Sequence, residues 1–391
     1  MEVIAGVPVW GSPVDEGAML QIMNCAKDAA HVALMADHHK GYAVPIGGVV
    51  AYEDKISPSG VGFDIGCGNK AVRLDIKADK VRRKIKPIMD RVWSGLSFGV
   101  GRSNKTSVDH ELFDDETWKL HAVRTLKQTA RNQLGTIGSG NHYVDLFADE
   151  QDRVWVGVHF GSRGLGHKTA TYFLNAGGAQ DGMDVDPLVL HVRSSLGADY
   201  LACMELAGRY AHAGRDWVCA EVARLLGAKI VEEVHNHHNY AWKESHGGRD
   251  LWVVRKGATP AFPGQKGFVG GSMGDKSVIL EGVESEEASE SLYSTVHGAG
   301  RVMSRTAARG KTNRRTGEII KPGVVSKEMM KAWIAKEGVE LRGAGTDESP
   351  HCYKRLPEVL EHHKNSIRIL HTLTPLGVAM AGENEYDPYK D

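Results

Sequence analysis

The chain has 391 residues, of which 41% are hydrophobic and 25% charged, proportions typical of a folded protein rather than a disordered one. Its 48 lysines and arginines nearly balance 49 aspartates and glutamates, so any surface that binds nucleic acid must be local. The 46 glycines exceed the usual share of about 7%, and the 19 histidines are also numerous, which indicates tight backbone approaches around a concentrated site.

The cysteines and the N-terminus bear on the compartment. Five widely spaced cysteines without a Cys-x-x-Cys pair argue against a disulfide framework and favour a reducing compartment. The first residues lack the basic and apolar segments of a secretory signal, and the sequence holds no run of 18 apolar residues. We therefore expect a cytoplasmic protein without a membrane partner.

Hydrophobic periodicity predicts strands and helices in irregular alternation. In chain order these are a helix at 17–30, strands at 48–52 and 71–76, helices at 77–92 and 111–134, a strand at 152–160, two or more helices within 188–226, strands at 251–254 and 277–280, and helices at 327–336 and 356–363. The order lacks the regular repeat of a doubly wound sheet, so the fold class is predicted as α+β. No linker divides the chain, and residues 1–391 are expected to form a single large domain.

Side chains of the types that bind metals lie near glycines in three segments. Asp64 and Cys67 lie within 60–68, where glycines permit sharp turns, so a carboxylate and a thiolate could converge on one point. A buried structural thiol is the more frequent interpretation of such a cysteine. His142 follows a similar polar segment at 138–141, and His159 ends an alternating strand before a glycine turn. For each histidine taken alone, a hydrogen-bonded core role is more common than ligation.

The densest imidazole cluster is the run from His235 to His238. Adjacent side chains of an extended segment point in opposite directions, so we expect one of these histidines to face a shared centre. The residues alone leave open whether that is His235, His237 or His238.

Other segments suit phosphate chemistry. Arg163 lies in a glycine turn, where its fork can bind two phosphate oxygens beside bare backbone amides. The loop 270–274 could surround a phosphate or a base edge, although a plain glycine turn is an equally good interpretation. His297 lies among very small residues, which suits a neutral, accessible nucleophile. Residues 301–321 then carry seven basic side chains and one acid, which favours an electrostatic track for a polyanion over a solvated loop.

The motifs follow one another in a specific order that covers most of the chain. After 35–41 come 45–49 (PIGGV), 61–68 (VGFDIGCG), 138–142 (GSGNH), 161–164 (GSRG), 238–240 (HNY), 255–259 (RKGAT), 271–274 (GSMG) and 297–301 (HGAGR). One such motif carries little weight, but eight in series are hard to obtain by chance. In this order they resemble the RtcB family of RNA-splicing ligases.

The resemblance implies mixed or antiparallel sheets flanked by helices around a central metal cleft. It implies a ligase, acting in RNA splicing or repair, that uses GTP and Mn²⁺ to join a 3′-phosphate or 2′,3′-cyclic phosphate end to a 5′-hydroxyl end. In that scheme His297 attacks the α-phosphorus of GTP to form a histidine–GMP intermediate. GMP then passes to the RNA 3′-phosphate, and the 5′-hydroxyl displaces it. Asp37 matches an acid of the family's active site, and Arg163 matches a phosphate-binding arginine.

Two metal ions follow from the same resemblance. The family's ions share a bridging cysteine, which corresponds to Cys67. Asp64 and His142 would complete the ligands of one ion. His159 and His238 would complete those of the other, with His238 selected by its His-Asn-Tyr context. The ligand types themselves suit Zn²⁺ at least as well, so Mn²⁺ follows from the resemblance alone.

The resemblance also implies a guanylate site, in which Tyr353 would stack on the guanine. The residues that it places there are Asn141, His142, Tyr143, Val144, Asp145, His238, Asn239, Gly270, Gly271, Ser272, Met273, Ser277, His297, Gly298, Ala299, Gly300 and Tyr353. Asp145 stands where the family has a glutamate, Ala36 replaces a proline and Gly214 replaces an asparagine. At the end of the chain the family's Val-Lys-Gly corresponds to 380–382 (MAG), so a lysine that touches the nucleotide is absent.

Two other functions compete with the ligase. The absent lysine favours a metal-dependent phosphoesterase on RNA ends that has lost productive guanylylation, whereas the retained His297 opposes it. An RNA-binding module with a structural metal site is opposed by the retention of every ligand position and of the nucleophile. The sequence leaves open whether a helper protein activates the enzyme.

Overall fold

A computed structural model describes residues 1–180, 182–312, 316, 318–383 and 385. The predicted α+β class is confirmed, since helices flank two large sheets. The strands are β1 (Glu2–Ile4), β2 (Val7–Val9), β3 (His31–His39), β4 (Ile46–Tyr52), β5 (Lys55–Ile56), β6 (Gly68–Lys77), β7 (Tyr143–Ala148), β8 (Arg153–Phe160), β9 (Leu190–His191), β10 (Ile230–His237), β11 (Asn239–His246), β12 (Arg249–Lys256), β13 (Ala258–Pro260), β14 (Lys266–Val269), β15 (Ser277–Gly282), β16 (Ser294–Val296), β17 (Gly310–Thr312), β18 (Ile319–Pro322), β19 (Glu340–Ala344) and β20 (Ile367–Gly382). The helices are α1 (Glu16–Ala26), α2 (Pro58–Val61), α3 (Ala78–Arg82), α4 (Ile85–Gly95), α5 (Lys127–Gln133), α6 (Arg163–Ala176), α7 (Ser195–Leu226), α8 (Glu286–Glu290), α9 (Arg305–Arg309), α10 (Lys327–Glu337) and α11 (Leu356–Glu361).

Both large sheets are mixed. One has six strands in the order β1-β2-β3-β4-β12-β11, and the other runs β10-β6-β8-β7-β20-β15-β14 with β19 beside β20. The pairs β2–β3 and β19–β20 are parallel, and the other neighbours in both sheets are antiparallel.

The register of the second sheet determines where the polar segments meet. His159 on β8 lies between Asn69 on β6 and Tyr143 on β7, one residue from the strand end. On the other edge of β6, Gly68 pairs with His237 at the end of β10. The strands β6 and β7 begin at the edge of the sheet where β8 and β10 end. The segment before β6, the segment before β7 and the segment after β10 therefore meet at this edge.

The helix α7 supports this end of the sheet. It packs against β6 and β8, and it is one continuous helix of 32 residues, so the prediction of two or more helices in 188–226 was wrong. Its internal glycines permit close packing without ending the helix. A Cβ added at Gly208 would lie 2.7 Å from the Tyr240 ring, and one at Gly214 would lie 3.3 Å from the Phe160 ring.

Two other predicted helices were only partly correct. The segment 111–134 forms two short 3₁₀ turns and then α5, because the side chain of Asp115 caps a new turn at Thr117 and the Trp118 indole donates back to the Leu112 carbonyl. The segment 77–92 divides into α3 and α4. The other predicted helices and strands are present with shifted ends.

The cysteines and helices also bear on the expected compartment. All five cysteines are free and buried, in agreement with the expected absence of a disulfide framework. Among the described residues, no helix is both long and apolar enough to cross a membrane.

Gly135 provides a test of how the loop before β7 is supported. Its φ is +81°, and an added Cβ would lie 2.4 Å from the indole of Trp217 on α7. We expect Gly135→Ala to lower the free energy of unfolding by about 1–3 kcal/mol more than Gly227→Ala, measured by urea denaturation. Gly227 is a matched control, because its φ of +65° imposes the backbone strain while nothing lies within 4 Å of an added Cβ. Equal losses would contradict a steric role for the Trp217 contact.

Candidate active site

A thiol, a carboxylate and three imidazoles cluster where the strands β6, β7, β8 and β10 meet. The Sγ atom of Cys67 lies 3.2 Å from Nε2 of His159 and 3.8 Å from Nε2 of His142. An Asp64 carboxylate oxygen lies 3.1 Å from Nε2 of His142. The ring of His238 packs edge-on against that of His159, with centroids 5.0 Å apart. Cys67, His142 and His159 are close enough to hold one metal ion together.

Backbone contacts explain why the turn before β6 presents both metal-binding side chains, Asp64 and Cys67, to the cluster. The amide of Cys67 donates to the Asp64 carbonyl, and Gly66 between them has a φ of +70°. The carbonyl of Cys67 accepts from the amide of His238, which ties this turn to the end of β10. A Cβ at Gly161 would lie 2.3 Å from the Asp64 carboxylate, so glycine is required there for the close approach.

The electrostatics of the cluster suit a cation. Burial, with the charges of neighbouring groups, lowers the pKa of His159 and of His238 well below its usual value, so both rings keep a lone pair for ligation. Burial raises the pKa of the Asp64 carboxyl, but His142 and Arg163 lower it by more, to about 2. Burial and the charge of Asp64 raise the pKa of the Cys67 thiol. A cation that binds this sulfur must therefore displace the thiol proton.

His238 adds an independent indication of a ligand. Its Nδ1 atom is buried, and within the described part of the chain it has no hydrogen-bond partner. Leaving such an atom unpaired costs about 1–3 kcal/mol, a cost that ligation would remove. The donor set therefore fits a divalent metal.

His297 lies beside this cluster, with its ring centroid 4.8 Å from that of His238. Its Nδ1 atom lies 2.6 Å from Oδ2 of Asp37, and the same oxygen accepts from the amide of His297 at 3.1 Å. Asp37 is completely buried, and although burial opposes its ionisation, His297 holds its pKa below the usual value. A carboxylate on Nδ1 keeps the proton there, so Nε2 carries the lone pair.

A cleft of about 280 Å³ begins at the cluster and contains most of the predicted guanylate residues. Tyr143 and Asp145 project into it from β7, and each has a side-chain oxygen that is buried and lacks a partner among the described residues. Burial raises the pKa of Asp145 well above its usual value. The loop at 270–273 forms one wall, where a Cβ at Gly270 would lie 2.1 Å from the Tyr143 hydroxyl.

At the far side of the cleft, Tyr353 is held by charged neighbours. Arg301 donates to its hydroxyl at 2.9 Å, and the guanidinium lies over the ring at 5.0 Å from the centroid. The hydroxyl donates to Glu348, which also pairs with Arg305. The ring is therefore fixed in orientation at the cleft wall.

A second cavity, of about 540 Å³, adjoins the cleft and is here called the groove; both are lined by Asp64, Asn141, His142 and Arg305. Its own lining combines Arg163 and Lys168 with a stacked pair of rings, Phe63 and His167, whose centroids are 5.0 Å apart. Half-buried rings beside cations at a cavity wall suit the stacking of bases in single-stranded nucleic acid.

Arg163 is positioned between the groove and the cluster. Its φ is +57°, and a Cβ at Gly138 would overlap its guanidinium, so the turn at 138–140 leaves space for this side chain. One terminal nitrogen lies 3.2 Å from Nδ1 of His142, whereas its buried Nε lacks a partner among the described residues.

Comparison with known proteins agrees with this arrangement. A family model described as tRNA-splicing ligase RtcB matches residues 19–381. The RNA-splicing ligase RtcB of Escherichia coli strain K12 is 32% identical, with 94% of this chain and 96% of that protein covered. The tRNA-splicing ligase RtcB of Thermococcus kodakarensis is 31% identical, with 88% and 86% covered, and the RNA-splicing ligase RtcB of Mycobacterium bovis is 31% identical, with 88% and 95% covered. The chain belongs to the RtcB family.

In this RtcB protein four predicted site residues lie outside the cleft lining. Val144 is completely buried among apolar side chains, because it alternates with Tyr143 and Asp145 along β7. Ser277 lies behind the glycine loop, where its hydroxyl accepts from the amide of Gly271. Asp37 lies behind His297, and Arg163 lines the groove. The remaining predicted residues line the cleft: Asp64, Cys67, Asn141, His142, Tyr143, Asp145, His159, His238, Asn239, Gly270, Gly271, Ser272, Met273, His297, Gly298, Ala299, Gly300 and Tyr353.

Several cleft residues of the RtcB fold were missed by the sequence analysis. They are His39, Ile46, Gly257, Arg301, Arg305, Glu348, Val378 and Met380. Arg301 was quoted in the motif at 297–301 and in the basic run, and Arg305 only in the basic run, but neither was predicted as a site residue. Pairing with Asp347 and Glu348 neutralises part of their charge, which a count over 301–321 cannot detect. Arg314 and Arg315 of that run lie outside the described residues.

The metal site can be tested at its central thiol. We expect Cys67→Ala to abolish or strongly reduce bound Mn²⁺, because Sγ lies against both His142 and His159. The measurement is metal content by mass spectrometry after equilibration with Mn²⁺ and gel filtration. Cys203→Ala is the control, since Cys203 is a buried thiol within an apolar core cluster. Equal metal content in the wild type and Cys67→Ala would contradict the assignment.

Proposed function

We propose that this chain is an RNA ligase that joins a 3′-phosphate or 2′,3′-cyclic phosphate end to a 5′-hydroxyl end through a covalent guanylate on His297, with residues 1–391 acting as one catalytic domain. The observation that carries the proposal is the Asp37–His297 pair beside the donor cluster. The curated relatives that the chain matches over most of its length are named RNA-splicing or tRNA-splicing ligases.

Two Mn²⁺ ions would be held by the cluster, one by Asp64, Cys67 and His142 and the other by Cys67, His159 and His238. Two observations support this ligand set: Nδ1 of His238 is buried with no partner among the described residues, and the thiol converges on two imidazoles. When bound, such ions would neutralise phosphoryl oxygens and lower the barrier to displacement at phosphorus.

His297 would perform the first step. Nε2 attacks the α-phosphorus of GTP, a P–N bond forms, and the bond to the departing pyrophosphate breaks. Asp37 keeps the proton on Nδ1 and stabilises the charge that develops on the ring. GTP would lie along the glycine loop at 270–273, with its base between Tyr353 and the buried oxygens of Tyr143 and Asp145.

The RNA would occupy the groove on the other side of the cluster. An oxygen of its 3′-phosphate attacks the phosphorus on His297, which breaks the P–N bond and restores the histidine. The 5′-hydroxyl of the second RNA then attacks the 3′-phosphorus, and GMP leaves. A 2′,3′-cyclic phosphate would first be opened by water to a 3′-phosphate. Arg163, with a buried Nε that lacks a partner among the described residues, is placed to hold a phosphate oxygen between groove and cluster.

The first step is tested with GTP labelled at the α-phosphorus. With Mn²⁺ present we expect label on the denatured wild-type protein and none on His297→Ala. His362→Ala is the control, because His362 is an exposed histidine outside the cleft. Label that persists on His297→Ala would contradict the assignment of the nucleophile. A wild type that stays unlabelled at saturating GTP would instead favour the phosphoesterase.

The role of Asp37 is tested by Asp37→Asn in the same assay. An amide cannot stabilise the imidazolium and leaves the Nδ1 proton without a carboxylate, so we expect the rate of labelling to fall by about 10²-fold or more. The amount of bound Mn²⁺ should remain that of the wild type, because Asp37 is not in the donor cluster. A labelling rate within threefold of the wild type would show that His297 does not need the carboxylate.

A further inference from the structure

Two histidines of the run at 235–238 do not face the cleft. Only His238 lines it, while His235 and His237 lie on the side of β10 that faces α7. Both of them contact the same side chain, the guanidinium of Arg215. Their function is therefore connected to that arginine.

Arg215 lies in the interior of α7 and is completely buried. Its Nη1 atom donates to the Gly66 carbonyl at 2.9 Å and to the Phe160 carbonyl at 2.6 Å. Its Nε atom donates to Nε2 of His235 at 2.7 Å, and Nη2 lies 2.9 Å from Nδ1 of His237. One guanidinium thus contacts three separate segments of the chain.

Each of these contacts adjoins a residue of the donor cluster. Gly66 directly precedes Cys67, Phe160 directly follows His159, and His237 directly precedes His238. The three segments come from the turn before β6, the end of β8 and the end of β10. The guanidinium contacts all three at once, in addition to their pairing in the sheet and the hydrogen bond between the Cys67 carbonyl and the His238 amide.

The charge of Arg215 is not used in an ion pair. Among the described residues no carboxylate lies within 4 Å of its nitrogens, and the neighbouring Asp216 pairs with Lys70 instead. A buried cation without a carboxylate is costly, so its donors must be satisfied by well-placed acceptors. The planar fork of an arginine supplies five directed N–H groups, a number and geometry that lysine cannot reproduce.

A metal site at the outer histidines is the competing interpretation. His212, Asp216 and His235 have donor atoms close enough to surround an ion. However, Nε2 of His235 accepts a hydrogen bond from Arg215, so the ring proton lies on Nδ1, the atom that faces Asp216 at 3.4 Å. A protonated Nδ1 has no lone pair for a cation.

We propose that Arg215 is a positioning residue that holds the segments of Cys67, His159 and His238 in register. His235 accepts from it, and Nδ1 of His237 lies 2.9 Å from both its Nη2 atom and the Gly66 carbonyl. This inference rests on the proposed metal site. Groups that orient metal ligands commonly change metal affinity by 10- to 100-fold when they are removed. Arg215→Lys keeps the charge but loses the fork, and it should therefore disturb the ligand geometry without removing a ligand.

The full chain is titrated with Co²⁺, a spectroscopic substitute for Mn²⁺. Binding is measured from the thiolate-to-cobalt charge-transfer absorption. We expect Arg215→Lys to bind Co²⁺ at least tenfold more weakly and to show a weakened or shifted band at saturation. The matched control is Arg209→Lys on the same helix, where the guanidinium pairs with Asp115 at the surface. It should bind Co²⁺ as the wild type does. Folding of each variant is checked by near-ultraviolet circular dichroism.

A second pair of variants keeps the inference testable if Arg215→Lys does not fold. His237→Asn places an amide near the position of Nδ1, which can accept from Arg215 or donate to the Gly66 carbonyl, whereas His237→Leu removes both possibilities. We expect near wild-type Co²⁺ binding in the first and at least tenfold weaker binding in the second. Equal affinity and spectra in wild type, Arg215→Lys and His237→Leu would overturn the positioning role alone. A wild type that binds no Co²⁺ would contradict the metal site itself, and this inference with it.

Discussion

The structure depends on the burial of a thiol, a carboxylate and three imidazoles at one end of a sheet. Such groups are costly to desolvate, so the fold must supply either partners or a ligand. The cost of burying the Asp64 carboxylate is offset by His142 and Arg163, and that of burying the His159 ring by its contact with the Cys67 thiol. Nδ1 of His238 receives no such compensation from the described residues. The cluster is therefore best explained as a site in which part of the stabilisation comes from what it binds.

The same principle extends from the cluster to its surroundings. Among the described residues, the buried oxygens of Tyr143 and Asp145 at the cleft and the buried Nε of Arg163 at the groove lack hydrogen-bond partners. These atoms are therefore available to ligands. Other groups hold the site in place from behind. Asp37 fixes the tautomer of His297, Ser277 supports the glycine loop, and Arg215 contacts the segments that carry the donor cluster.

The glycine content has a local explanation at the site. At Gly138, Gly161 and Gly270 a single added methyl group would overlap Arg163, Asp64 or Tyr143. These glycines allow backbone to approach functional side chains closely, and so they appear as motifs in the sequence. The same property on α7, at Gly208 and Gly214, brings the helix against the ends of the strands.

The sequence by itself determined the α+β class, most strand and helix positions and, through its ordered motifs, the family. It also identified most of the residues that line the cleft, because motif residues next to glycines are recognisable without coordinates. It failed where the outcome depended on contacts between distant segments. The continuous helix α7 packs its glycines against Tyr240 and Phe160, which lie in other segments. The charge near Arg305 depends on Glu348, more than 40 residues away in the chain.

The family resemblance selected His238 from the run, and only the tertiary structure shows the physical reason for that choice. Alternation along a strand predicts that neighbouring side chains face opposite sides, but it cannot say which side holds the centre. The pairing of Gly68 with His237 places His238 at the cleft and leaves His235 and His237 against Arg215. Local pattern determines the period of a strand, whereas its register and its neighbours are set by interactions with segments that the pattern does not contain.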